Sequence, residues 1–150
     1  MGALDGRVAL VTGGATKIGR GVAEALAADG AHVVVADIDE TGFDALAPGI
    51  DAEVADITDD ARLADLVAGI VERHGALDIV VNLAATYLDN GADTSREDWL
   101  TALNVNLVST AMVVAAARPH LAASGHGAVV NVPSISSSVA PGRPKAMLSR

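Results

Sequence analysis

Short apolar, β-branched segments alternate along this chain with amphipathic or alanine-rich segments. A parallel sheet has this alternation when helices cover both of its faces, because its strands are buried on both sides. The pattern predicts strands at residues 8–12, 32–37, 52–55, 77–82 and 128–132. It predicts helices between them at residues 18–29, 40–46, 59–74 and 95–123. We therefore expect one three-layer α/β domain that spans residues 1–150.

Residues that favour helix ends support these bounds. Gly30 and Gly75 can end helices in the left-handed conformation, and Thr58 and Ser95 can cap helix starts. Pro119 falls late in the last predicted helix and is expected to end it or kink it.

A glycine-rich segment connects the first predicted strand to the first predicted helix. Gly13 and Gly19 lie in this segment. Glycine allows the backbone to approach a phosphate closely, and free N–H groups at a helix start favour negative charge. Many tight turns also contain glycine, but the position between strand and helix favours a phosphate site.

Asp37 ends the second predicted strand, 18 residues after Gly19. A carboxylate at this place can accept hydrogen bonds from the ribose hydroxyls of an adenosine, and it would repel the 2′-phosphate of NADP. The alternative is that Asp37 only caps a turn. Together with the glycine segment, it predicts NAD as the cofactor in preference to NADP.

Composition narrows the classes of partner. The net charge of −9 and the ten scattered Lys and Arg residues argue against nucleic acid and acidic membranes. The amino terminus lacks the features of a secretion signal, and uninterrupted apolar runs are shorter than the roughly 18 residues of a membrane span. The chain contains no cysteine, and its histidines lack metal-ligand spacing. We expect a cytoplasmic protein without a metal.

These motifs resemble the short-chain dehydrogenase/reductase family from Gly6 to about Ser134. The family pattern T-G-x-x-x-G-x-G is matched at Thr12, Gly13 and Gly19, with Ile18 at the usual apolar place, and the middle glycine is replaced by a lysine, Lys17. The resemblance implies a Rossmann fold and hydride transfer between NAD and an alcohol or ketone. Lys17 either lies against a phosphate or is a solvated surface lysine.

The resemblance extends to two further cofactor motifs. Asp56 and Ile57 stand where the family contacts adenine, although a plain turn before a helix would also explain them. Asn82 and Ala84 match the first and third positions of the family's N-N-A-G motif, whose backbone supports the sheet and the cofactor.

The resemblance also implies two catalytic positions. Asn106 falls at the family's helix asparagine, which is proposed to hold a water in a proton relay. An asparagine is unfavourable inside a helix, which suggests a specific reason for its presence. Ser134 follows the fifth predicted strand and matches the serine that hydrogen-bonds the substrate carbonyl.

The family's Tyr and Lys are absent from their places in this sequence. Met147 stands 13 residues after Ser134, where the family has Tyr, and the Lys would be residue 151. Two hypotheses therefore stay open: an oxidoreductase with impaired catalysis, or a non-catalytic nucleotide-binding or interaction module, including a truncated product. A positioned acid or base typically contributes about 10²–10⁴-fold to a rate.

The last residues, 134–150, depart in character from the well-matched part, residues 1–133. Codons for residues 145–150 can be chosen so that a neighbouring frame reads Gly-Tyr-Ala-Val-Ser. The tail from about Pro141 is therefore a candidate frameshift, and the coding DNA decides it.

An incomplete sheet would leave apolar surface uncovered. The fifth strand would then be an edge, and we expect marginal stability and self-association. The helix face expected to be partly uncovered contains Val105, Leu107, Val108, Met112, Val113 and Val114.

Overall fold

Five parallel strands form one sheet in the computed structural model, which describes residues 2–88 and 90–134. In chain order they are β1 (Val8–Thr12), β2 (His32–Asp37), β3 (Asp51–Val54), β4 (Ile79–Asn82) and β5 (Ala128–Asn131). Their order across the sheet is β3-β2-β1-β4-β5, so the winding direction changes beside β1. The prediction of a five-stranded parallel sheet is confirmed. Such a change of direction creates a crevice at the carboxyl ends of the strands.

Helices cover both faces of this sheet. They are α1 (Lys17–Ala28) on one face and α2 (Asp60–His74) and α4 (Ser109–Ser124) on the other, while α3 (Arg96–Leu103) buries no residue. A π-helical turn, Asn104–Val108, joins α3 to α4. The predicted helix at 95–123 is therefore one helical stretch whose hydrogen bonding changes from α-helical to π-helical at these residues. The helix predicted at 40–46 is instead a 3₁₀ helix, Glu40–Ala45.

Three expected helix ends differ in their outcomes. Ser95 caps α3 by accepting a hydrogen bond from the Asp98 backbone N–H at 3.0 Å, as predicted. The cap of α2 is Asp59 rather than Thr58, because the Asp59 carboxylate accepts from two N–H groups of the first turn. Helix α4 continues past Pro119 to Ser124, so of the two effects expected of this proline, an end or a kink, the end is wrong.

The core consists of two apolar clusters, one on each face of the sheet. Leu10 of β1 packs with α2 and α4 on one face, and its neighbour Val11 packs with α1 on the other. Successive side chains of a strand point to opposite faces, which is why β1 is buried throughout. This packing holds the strands in place and thereby positions the loops at their carboxyl ends.

Glu53 connects β3 to α2 through two ion pairs. Its Oε2 accepts from the Arg62 guanidinium at 2.9 Å, and its Oε1 accepts from Arg73 at 2.7 Å. Partial burial acts to raise the pKa of Glu53, but the hydrogen bonds from Arg73 and Arg62 outweigh it and hold that pKa below 4.5. A carboxylate with a lowered pKa stabilises the fold above its unfolded-state pKa, and this stability is lost as pH falls through the folded-state pKa.

Glu53→Gln is expected to lower the free energy of unfolding at neutral pH by about 0.5–1 kcal/mol, because the paired groups are partly exposed. The difference from wild type should shrink as pH falls through the lowered pKa of folded Glu53, because below that pKa the carboxyl is neutral in both the folded and the unfolded state. Urea denaturation at neutral pH and at a pH below the pKa of folded Glu53 measures this difference. Glu72→Gln, on the exposed side of α2, is the control and should cost nothing measurable.

A helix face and the β5 edge of the sheet are uncovered among the described residues. Leu107 is 62% exposed, and Val108 and Met112 are also exposed, as expected. Val113 is fully buried against the sheet, so its assignment to the uncovered face is wrong. Strand β5 pairs only with β4 among the described residues, which makes it an edge of that part of the sheet.

The continuous helical stretch Arg96–Ser124 is long and apolar enough to cross a membrane by length and composition alone. Its mean hydropathy is 1.7 in the most apolar window, of which 17% is buried. Counting uninterrupted apolar runs misses this stretch because isolated polar residues divide it. Core helices of soluble proteins meet the same criterion, and Val113, Ala117 and Leu121 of this helix belong to the core.

Candidate functional site

A cleft of about 280 Å³ lies at the carboxyl ends of the strands. It is bounded by the glycine loop after β1, the end of β2 and the segments that follow β3 and β4. The predicted cofactor residues that line it are Gly13, Asp37, Asp56, Ile57 and Ala84. The fold thus brings these residues, which are distant in sequence, together at one cleft.

The glycine loop is packed too closely for side chains. Gly13 has φ +72°, and an added Cβ would lie 2.7 Å from the Ala84 backbone nitrogen. A Cβ on Gly19 would overlap the carbonyl oxygen of Gly13. Gly14, which the motif does not single out, is equally restricted, because its Cβ would overlap the side chain of Val35. These glycines hold the loop against β2 and the segment after β4.

Thr16 caps α1 and is a site residue that the motif leaves unspecified. Its Oγ1 accepts from the Gly19 N–H at 3.0 Å and donates to the Gly13 carbonyl at 2.8 Å. The pattern Thr-x-x-Gly at a helix start would have indicated it. The first two helical N–H groups, those of Lys17 and Ile18, have no acceptor among the described residues, so they remain available for an anion.

The side chains of Lys17 and Ile18 are exposed and do not line the cleft. Thr12, Gly19 and Asn82 are buried and support it from behind. Lys17 remains a candidate for a phosphate contact on sequence grounds alone.

Thr12 ties β1 to the segment after β4. Its Oγ1 accepts hydrogen bonds from the backbone N–H groups of Leu83, at 3.2 Å, and Ala84, at 3.4 Å. Asn82 extends the link to β5, because its Nδ2 donates to Asn131 Oδ1 at 2.9 Å. Residues of the first, fourth and fifth strands thus hold one wall of the cleft in place.

Asp37 is bound to two backbone N–H groups. Its Oδ2 accepts from Ala15 at 3.0 Å, and its Oδ1 accepts from Asp39 at 3.1 Å. The turn-capping alternative therefore describes part of its role. Each carboxylate oxygen has a further lone pair, so ribose hydroxyls can still donate to it.

Asp56 makes the turn that precedes α2. Its Oδ1 accepts from the Thr58 backbone N–H at 2.8 Å and from the Thr58 hydroxyl at 2.7 Å. The side chain of Ile57 is buried. The plain-turn alternative thus accounts for one carboxylate oxygen, and the residue lies at the cleft where an adenine contact is predicted.

Asn106 clamps the helix to the loop after β4. Its Nδ2 donates to the Thr86 carbonyl at 2.9 Å, and its Oδ1 accepts from the Thr86 N–H at 2.8 Å. Thr86 lines the cleft, and Asn106 lies in the π-helical turn. This contact supplies a physical reason for an asparagine inside a helix, because the side chain satisfies a loop backbone rather than its own helix.

Ser134 follows β5, is exposed and does not line the cleft. Met147 and the tail from Pro141 lie outside the described residues. Asn106, one of the two predicted catalytic residues, contacts Thr86, which lines the cleft.

The sheet order and the cleft at the carboxyl ends of the strands define a Rossmann-type α/β domain. A family model described as enoyl-(acyl carrier protein) reductase matches residues 13–149. The chain belongs to the short-chain dehydrogenase/reductase family of oxidoreductases.

Individual relatives agree with this assignment. The chain is 43% identical over 140 residues to the assigned ketoacyl reductase 2 of the granaticin polyketide synthase from Streptomyces violaceoruber, covering 87% of this chain and 56% of the relative. It is 32% identical to the 3-oxoacyl-[acyl-carrier-protein] reductase FabG of Thermotoga maritima, covering 88% and 57%. The chain spans a little over half the length of these relatives.

A solved structure from Burkholderia xenovorans, itself assigned as a short-chain dehydrogenase/reductase, superposes with a TM-score of 0.87. Its sequence is 32% identical, and the match covers 93% of this chain and 60% of that one. The described part of this chain therefore has the same fold as the corresponding part of that longer protein.

Proposed function

We propose that the cleft binds NAD and that the chain forms the nucleotide-binding part of an oxidoreductase acting between NAD and an alcohol or ketone. One observation carries this proposal: a glycine loop without room for side chains starts α1 beside the carboxylate of Asp37. Bound NAD would accept or supply the hydride in such a reaction.

The residues present fit this cofactor. The free N–H groups at the start of α1 suit a diphosphate, and the two lone pairs left on Asp37 suit ribose hydroxyls. Lys17 begins the same helix and could add positive charge beside the diphosphate. The carboxylate of Asp56 and the backbone N–H of Ile57 lie at the cleft, where they could hydrogen-bond the edge of adenine.

The proposed substrate is a small alcohol or ketone, because relatives carry names such as D-threitol dehydrogenase and sorbitol dehydrogenase. Ser134 would hydrogen-bond the carbonyl, and Asn106 would assist a proton relay. The clamp on Thr86 uses one lone pair of Asn106 Oδ1 and one of the two N–H groups of Nδ2, so the remaining lone pair or N–H would have to hold the water.

A non-catalytic nucleotide-binding module is the second candidate, favoured by Met147 at the place where the family resemblance implies a Tyr. The two candidates differ in turnover. Purified protein is assayed for NADH oxidation with a panel of ketones and for NAD reduction with the matching alcohols. Turnover supports the oxidoreductase, whereas NADH binding without turnover supports the module.

Asp37→Asn is expected to reduce the preference for NADH over NADPH by about tenfold or more, because it removes the charge that would repel the 2′-phosphate. Asn keeps one oxygen that can accept from the Ala15 N–H, so the loop contact survives. The ratio of the two Kd values, from calorimetric titrations, measures the effect.

Asp65→Asn on the exposed side of α2 serves as the control with the same loss of charge. An unchanged ratio in Asp37→Asn, or an equal change in Asp65→Asn, would contradict a role for Asp37 in cofactor choice.

A further inference from the structure

The 3₁₀ helix Glu40–Ala45 lies directly against the glycine loop. A Cβ added to Gly42 would overlap the carbonyl oxygen of Ala15 and would lie 2.8 Å from the Ala15 carbonyl carbon. Both of these atoms belong to the backbone, so they cannot move aside as a flexible side chain would. Gly42 is thus required by contact with the loop, and neither the glycine motif nor the cleft lining includes it.

Ala15 is held from a second side by Asp37. Its N–H donates to Asp37 Oδ2 at 3.0 Å, while the other carboxylate oxygen accepts from the Asp39 N–H at 3.1 Å. Asp39 in turn starts the 3₁₀ helix by accepting from the Thr41 N–H at 2.9 Å. A chain of hydrogen bonds therefore runs from the glycine loop through Asp37 and Asp39 into the segment that contains Gly42.

Ala15 is also the residue before the helix cap. Thr16 fixes the Gly13 carbonyl and the Gly19 N–H, so a shift of the Ala15 peptide would move the start of α1. The N–H groups available for an anion belong to the residues that follow immediately. Displacement by a few tenths of an ångström is enough to weaken charge-assisted hydrogen bonds, which depend on short distances.

We infer that the 3₁₀ helix Glu40–Ala45 positions the glycine loop for a nucleotide diphosphate, with Gly42 and Asp39 as positioning residues. This inference rests on the proposed nucleotide site. The 3₁₀ helix lies outside the cleft and would affect the affinity for a diphosphate through its contact with the glycine loop. Its effect should therefore separate ligands that carry a diphosphate from ligands that lack one.

Gly42→Ala is tested by calorimetric titration with NADH, ADP and adenosine. We expect the Kd for NADH and ADP to rise about tenfold, because the overpacked contact displaces the glycine loop, while the Kd for adenosine changes less than about twofold. The control is Gly69→Ala in α2, where an added Cβ meets no atom within 4 Å. It should leave all three Kd values unchanged.

A second pair of variants avoids overpacking. Asp39→Ala removes the hydrogen bond to Thr41 and should weaken the binding of NADH and ADP about three- to tenfold, because the 3₁₀ helix loses its cap. Asp44→Ala, in the same segment with an exposed side chain, is the matched control and should bind as wild type does.

Diphosphate binding by Gly42→Ala and Asp39→Ala that equals that of their controls would overturn the inference, and so would an equal loss of adenosine binding. Failure of the proposed function has a different result, because wild-type protein would then bind neither NADH nor ADP.

Discussion

Gly19→Ala is expected to raise the Kd for NADH about 10- to 100-fold. The added Cβ would overlap the Gly13 carbonyl oxygen and would lie 2.8 Å from the Gly14 Cα. Because both neighbours are backbone atoms of the glycine loop, the loop must open, at a cost of about 1–3 kcal/mol. That opening moves the N–H groups that would contact the diphosphate. Calorimetric titration of NADH measures the change.

Gly21→Ala provides a control within the same helix. Gly21 lies in α1, and a Cβ there meets no atom within 4 Å. Alanine favours a helix over glycine by about 0.5–1 kcal/mol, so this variant should melt slightly higher and bind NADH as wild type does. Equal binding by the two variants would show that the tight approach at Gly19 has no role in the site.

Asp78→Ala is expected to lower the free energy of unfolding by about 2–4 kcal/mol. Asp78 is buried just before β4, where its Oδ2 accepts from the Val8 N–H at 2.9 Å and its Oδ1 lies 3.6 Å from the Arg7 guanidinium. Removing the carboxylate leaves a buried N–H of β1 without an acceptor. Urea denaturation followed by circular dichroism measures the loss.

Two control variants separate the loss of the hydrogen-bond acceptor from the loss of negative charge. Asp78→Asn keeps an acceptor for Val8 but removes the charge beside Arg7, so it should cost less than alanine. Asp65→Ala changes an exposed aspartate of α2 and should alter stability by no more than about 0.5 kcal/mol. An Asp78→Ala variant as stable as Asp65→Ala would contradict the role of this carboxylate in joining β1 to β4.

Strands β1, β2 and β4 could be predicted because each contains a continuous apolar run that is buried on both faces. The predicted bounds of β1 and β2 agree with the structure, while β3 is shifted by one residue, starting at Asp51. Helix interiors are less evident from local patterns. The chain passes Pro119 without ending α4, since the residues after it, such as Leu121, are held by core packing.

The candidate site was predictable where a local pattern carries the chemistry. Gly13, Gly19 and Asp37 follow from spacing between a strand, a loop and the next strand. The clamp between Asn106 and Thr86 and the contact between Gly42 and Ala15 did not follow, because each joins segments that only the folded sheet brings together. The π-helical turn at Asn106 likewise leaves no local sequence mark.

A two-dimensional ¹H–¹⁵N NMR titration with NADH tests most directly whether the cleft at the carboxyl ends of the strands is the nucleotide site. The expected result is saturable shifts at NADH concentrations below about 1 mM, in the range of typical KM values. The shifts should be confined to the glycine loop and to the segments around Asp37, Asp56 and Ala84, with the opposite edge near His74 unchanged. Absence of shifts, or shifts centred on the edge near His74, would contradict it.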